Sequence, residues 1–145
     1  MLKIWSKEEL EAEGYELITG QIDNIDLSRA DHDCLYFSFG ICTGSFHIGF
    51  GHFCFASYSC KKDNEEHDYR DKYNYTSDPK MGEILIRIMQ TLGISKLSEF
   101  KNTYLRIAYK RGKELKIIGN ILYDVWFDIE DFYREYKDLY DKINQ

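Results

Sequence analysis

Residues 34–60 form a run of 27 positions without a single Asp, Glu, Lys or Arg. A charge-free stretch of that length has few destinations: a membrane span, a buried helix, or strands facing a core. Gly, Ser, Thr and His interrupt it throughout, and its apolar residues recur at every second position, so alternation favours a sheet over a spanning helix. Leu35, Phe37, Phe39 and Ile41 share one face, with Tyr36, Ser38, Gly40 and Cys42 on the other. After a turn at Thr43-Gly44, Phe46, Ile48 and Phe50 return opposite His47, Gly49 and Gly51, which predicts a hairpin with one greasy face. The phase then slips, because Phe53 and Phe55 stand at odd positions where even ones had been apolar. A β-bulge within Gly49-Phe50-Gly51-His52 restores the register, and glycine suits a bulge. Glycines opposite a Phe face leave the sheet bare, so another backbone or a flat ligand can approach there.

The rest of the chain supplies elements that can cover the greasy face. Ser6-Lys7-Glu8-Glu9 reads as a capping box opening a short acidic helix that ends near Gly14. A strand follows over residues 15–27, with Gly20 as a bend, and 28–33 reads as a polar turn. Residues 61–80 form a long polar loop in which Tyr69, Tyr73 and Tyr75 offer contact area. Asp78 as N-cap, Pro79 at the first helical position and Gly93 as terminator bound a helix over 79–92. Its core face is Met81, Ile84, Leu85, Ile88, Met89 and Leu92, with Glu83 and Arg87 pairing on the flank. One helical turn over 95–100 precedes a second hairpin: 104–109, a turn at 110–113, and 115–123. A last amphipathic helix over 129–143 starts at Asp128. These elements imply one α+β domain over residues 1–145, an antiparallel sheet of hairpins with two main helices, about 79–92 and 129–143, and a short N-terminal helix.

No catalytic constellation emerges. A Gly-x-Ser-x-Gly elbow is absent, the glycines run through strands instead of opening a helix as phosphate loops do, and no spacing of carboxylates argues for an acid/base pair. Cys42, His47, His52 and Cys54 match no recurring zinc module, so neither a metal nor a cofactor is expected. The chain opens without a basic, apolar leader, and its four cysteines are read as reduced thiols, which gives a cytoplasmic expectation with no membrane partner.

Charge is unevenly placed. Residues 1–33 carry three basic and nine acidic side chains, whereas between Arg87 and Lys116 eight cations face only Glu99 and Glu114. An acidic protein with one basic block suits a compact anionic ligand better than duplex nucleic acid; a solvated basic face is the other reading. A nucleotide-like ligand, the kind that the family resemblance below implies, needs cations for its phosphates, which Arg87, Arg106 and Lys116 could supply, and an aromatic plane for its base, which Tyr109, Trp126 or Phe53 could supply.

Three local patterns carry a resemblance: Gly49-Phe50-Gly51-His52-Phe53, Gly82-Glu83-Ile84-Leu85-Ile86-Arg87-Ile88, and Ile118-Gly119-Asn120-Ile121-Leu122-Tyr123-Asp124-Val125-Trp126-Phe127. They are similar to a small phage-protein family reading Gly-Phe-Gly-Gly-Tyr, Gly-x-Glu-Phe-Ile-x-Arg and Ile-Gly-x-Ile-Ile-x-Asp-Lys-Trp-Phe. That family resembles the phage anti-Thoeris sponges, which sequester cyclic ADP-ribose-type signals without cleaving them. The resemblance implies an antiparallel sheet with helices, a homodimer able to assemble further, and a ligand held near a subunit interface by arginines, an aromatic and an Asn. Arg87 and Asn120 fall within matched motifs; Gly51-His52-Phe53 and Val125 depart from the pattern. The expectation is a non-enzymatic binding protein, with two alternatives: an inhibitor docking on a host defence or CRISPR component by acidic mimicry, and a hydrolase of the same signals. Arg87→Ala and Asn120→Ala are both expected to weaken ligand binding with little change in fold.

Overall fold

The computed structural model describes residues 2–30, 34–58 and 75–143. The greasy hairpin forms as its alternation requires. Strand β2 (Cys34–Cys42) pairs antiparallel with β3 (His47–Tyr58), and the register shifts between Phe37 and Ser38, whose partners are Phe53 and Gly51. His52 is the extra residue of that bulge. It sits at φ 81°, beside Gly51 at φ 109°, so the left-handed turn falls on a glycine and the histidine after it. The slip keeps Phe50 and Phe53 on the same buried face as Phe37, Phe39 and Ile41.

All seven strands make one antiparallel sheet in the order β4-β3-β2-β1-β5-β6-β7. The remaining strands are β1 (Glu16–Ala30), β4 (Tyr75–Ser77), β5 (Tyr104–Tyr109), β6 (Ile117–Asn120) and β7 (Trp126–Asp128). β1 pairs with β5 through Glu16 to Gln21 and with β2 through Gln21 to Ala30. It continues through Ser28, Arg29 and Ala30, where the sequence suggested a turn; residues 31–33 lie outside those described. Gly20 is no bend. It is buried in mid-strand, where an added Cβ would stand 2.5 Å from Ile41. The polar 61–80 loop is described only at its end, where Tyr75–Ser77 is β4 on the edge of the sheet and helix α2 starts at Pro79. The rest of that loop lies outside the described residues.

The capping signals work as local chemistry dictates. Ser6 Oγ accepts from the Glu9 amide at 3.1 Å and starts α1 (Lys7–Ala12). Asp78 accepts from the Lys80 amide to start α2 (Pro79–Leu92), and Gly93 ends it at φ 74°. A 3-10 turn occupies Leu97–Glu99. Asp128 Oδ1 takes the amides of Glu130 and Asp131 at the head of α3 (Ile129–Ile143).

One sheet face is covered by α2 and α3. Met81, Ile84, Ile88 and Leu92 meet Ile22, Phe37, Phe39, Phe53, Leu105, Ile107 and Ile118, with Phe100, Ile129 and Phe132 closing the layer. Each such side chain contributes about 1.5–3 kcal/mol relative to exposure. α1 covers part of the other face, burying Leu10 on Ala108 and Ile117 beside Trp5, Leu17 and Trp126. No helix among the described residues is long and apolar enough to cross a membrane.

Candidate functional site

Of the bare glycines of the sheet, Gly40, Gly51 and Gly119 are covered by rings of this same chain, whereas an ideal Cβ at Gly49 meets nothing within 4 Å. The His47 imidazole lies over Gly40, where a Cβ would stand 2.6 Å from it, and hydrogen-bonds Asp23 at 3.0 Å. The Phe53 ring lies against Gly51, and the Trp126 indole lies on Gly119, 2.2 Å from an ideal Cβ. Phe53 is therefore a core residue, 5% exposed and edge-on to Phe50, instead of a wall on the open face. His52 stays on that open face, stacked on Tyr36 with ring centroids 4.3 Å apart. Among the described residues no three His, Cys, Asp or Glu side chains converge where a metal ion could sit. Burial, and then neighbouring Cys34, push the Cys54 thiol upward, so it is held protonated.

Four of the nominated residues gather at the β6–β7 end of the sheet. Arg87, on α2, keeps the Glu83 pair expected from its spacing, with Nη2 2.8 Å from the carboxylate, and its guanidinium lies 5.6 Å from the Phe132 ring centroid. Asn120 is buried on the helix-facing side of β6. Its Nδ2 donates to the Thr91 carbonyl at 3.0 Å, while its Oδ1 accepts from the Leu122 and Tyr123 amides at 2.8 and 3.0 Å. These bonds fold 120–125 into a tight turn, so the apolar run from Ile118 is interrupted and Trp126 begins a separate strand, β7, that alternation alone did not reveal. Arg106 clamps the same turn from the opposite sheet face. Its Nε donates to the Asn120 carbonyl and its Nη2 to the Tyr123 carbonyl, and the guanidinium stacks 4.7 Å from the Trp126 ring centroid.

Between that turn, α2, α3 and the N-terminal segment lies a cavity of about 320 Å³. Arg87, Gln90 and Thr91 form one wall, Val125, Trp126 and Phe132 another, and Leu2, Lys3, Ile4 and Trp5 a third. A neighbouring hollow of about 430 Å³ shares Leu2, Ile4, Arg87 and Phe132 with it. Three carboxylates stitch the N-terminal wall in place: Asp131 accepts from the Lys3 amide at 2.7 Å, Asp128 from the Trp5 indole at 3.0 Å, and Asp124 from the Lys7 amide at 2.8 Å. Burial pushes the Asp131 carboxyl up, but the Lys3 amide and the Arg134 guanidinium together outweigh it and hold the group below the usual carboxylate range. Ile4, which lines both hollows, is 85% exposed, and Leu122 and Tyr123 on the 120–125 turn are 79% and 67% exposed.

Tyr109 and Lys116 lie elsewhere. They line a second cavity, of about 360 Å³, with Tyr15, Lys110, Lys113, Glu114, Leu115 and Glu130. Sequence reasoning missed Lys3, Trp5, Gln90 and Tyr15 because their positions depend on non-local packing. Lys110 and Lys113 were visible only as members of the basic block. No protein-family profile, no curated protein and no solved structure matches the chain.

Proposed function

We propose that the protein is a phage-encoded sponge that binds a cyclic ADP-ribose-type or related cyclic nucleotide signal in the bacterial cytoplasm and holds it without cleavage. The observation that carries this reading is the convergence of Arg87 and Trp126 on one cavity, whose turn is shaped by Asn120 and clamped by Arg106. Arg87 offers a guanidinium for a phosphate group, with Lys3 beside it. Trp126 offers aromatic surface to a base, and Gln90 suits ribose hydroxyls.

Asn120 acts in this reading by holding the turn, because its side-chain amide is engaged by the protein at both ends. Exposed Ile4 at the cavity, with exposed Leu122 and Tyr123 on the 120–125 turn, suits a homodimer in which a second copy completes the site. Nanomolar retention corresponds to about −12 kcal/mol, which charge-assisted bonds in a desolvated cavity can supply.

Incubating the protein with cyclic ADP-ribose isomers, removing free ligand, heating to denature and assaying the supernatant tests the reading. Release of intact signal supports a sponge, and release of altered signal supports a hydrolase. Failure to deplete any isomer before heating rejects both and leaves the acidic-mimic inhibitor. Arg87→Ala is expected to weaken retention at least tenfold, since it removes a charge-assisted contact.

A further inference from the structure

The second cavity has a different chemistry. Its lysines stand at backbone positions fixed by the fold: the Lys113 amide donates to the Lys110 carbonyl at 3.1 Å within the β5–β6 turn, and the Lys116 carbonyl accepts from the Ile129 amide at 3.0 Å. Pairing of Glu16 with Tyr109 brings Tyr15 to the same spot, and Lys110 Nζ lies 4.0 Å from the Tyr15 ring centroid. Two glutamates share the lining. Glu114 is 3.3 Å from Lys116 and 77% exposed, while Glu130 lies at the head of α3. Among the described residues neither Lys110 nor Lys113 has a carboxylate within ion-pair distance. Three ammonium groups against two carboxylates, one of them paired with Lys116, leave the lining of a cavity of about 360 Å³ net positive, which favours an anion.

We infer that this cavity is a separate site for a multivalent phosphate chain, a di- or triphosphate group, gripped by Lys110, Lys113 and Lys116 with the Tyr15 and Tyr109 side chains at its wall. Ammonium groups on flexible stems act as point charges that follow a chain of phosphates, whereas a planar carboxylate ligand would call for guanidinium forks. Burial, and then the charges of Asp128, Glu130 and Glu13, push the Tyr15 phenol up, so it stays protonated and can donate to an anion.

Titration calorimetry with inorganic tripolyphosphate and with ATP, on the intact chain, tests this. Tripolyphosphate is expected to bind and to weaken more than tenfold as ionic strength rises from about 0.05 to 0.5 M, as partly exposed charges demand. Lys110→Gln and Lys113→Gln, both on a surface turn and compatible with folding, are each expected to weaken it about tenfold. Equal affinity for the two probes assigns the phosphate chain alone as ligand; tighter ATP binding assigns a nucleoside polyphosphate. The inference is overturned if neither probe binds, or if Arg87→Ala abolishes binding while the lysine variants do not, which would move the anion to the other cavity.

Discussion

Replacing Asn120 by Ala separates a structural role from a ligand role. The Thr91 carbonyl belongs to the last turn of α2, where the last four carbonyls lack helical partners, and Asn120 Nδ2 supplies the missing donor at 3.0 Å. Thr91 is only 5% exposed, so losing that donor leaves a buried acceptor unsatisfied, at about 1–3 kcal/mol. The Leu122 and Tyr123 amides sit on an exposed turn where water can replace Oδ1, adding about 0.5 kcal/mol each. The expected loss is about 2–4 kcal/mol, read by urea unfolding with far-UV circular dichroism. Asn120→Asp keeps the acceptor oxygen for the Leu122 and Tyr123 amides but replaces the donor with a second, charged oxygen set against the Thr91 carbonyl, so it should cost at least as much. A change below about 0.5 kcal/mol in either variant would refute this account of the turn. Arg87→Ala, which removes a half-exposed pair, should stay within about 1 kcal/mol of the parent. Little change in fold is therefore predicted for Arg87→Ala alone, and a loss of stability for Asn120→Ala.

Two further outcomes follow from contacts at the same end of the sheet. Gly119→Ala drives a Cβ into the Trp126 indole and must displace it from Arg106; overpacking of this kind costs about 1–3 kcal/mol and should shift tryptophan emission, and unchanged emission would contradict the contact. Asp131 has a depressed pKa in the folded state. Its contribution is therefore complete above the unfolded value of about 3.9 and is lost as pH falls through the lower folded value. Urea midpoints should drop across that acid window in the parent, and Asp131→Asn should flatten this limb.

The parts of the fold legible in the sequence are those whose causes are local. Asp78, Pro79 and Gly93 bound α2 because capping needs only neighbouring residues, and the Phe phase slip disclosed the bulge because side-chain period is intrinsic to a strand. β7 was hidden because the turn before it contains no Gly or Pro. What makes that turn is Asn120, a residue that the motif resemblance pointed toward a ligand instead. Gly20 suggested a bend because glycine is conformationally free, whereas here it makes room for Ile41 on the neighbouring strand. Of the nominated residues, Arg87, Asn120, Arg106 and Trp126 meet at one end. Tyr109 and Lys116 part from them because they lie where the β5–β6 turn meets the start of β1. Phe53 is drawn inward by the bulge.

β1 carries one last implication. Its first half is zipped to β5 and its second half to β2, so a single strand serves as the common seam of an early hairpin and a later meander. A chain cut in the connection between α2 and β5 would leave the N-terminal fragment with the Glu16 to Gln21 edge unpaired and the C-terminal fragment with β5 paired to β6 on one side and open on the other. Such fragments have reason to find each other, and this linker is the natural place to divide the protein for a complementation reporter.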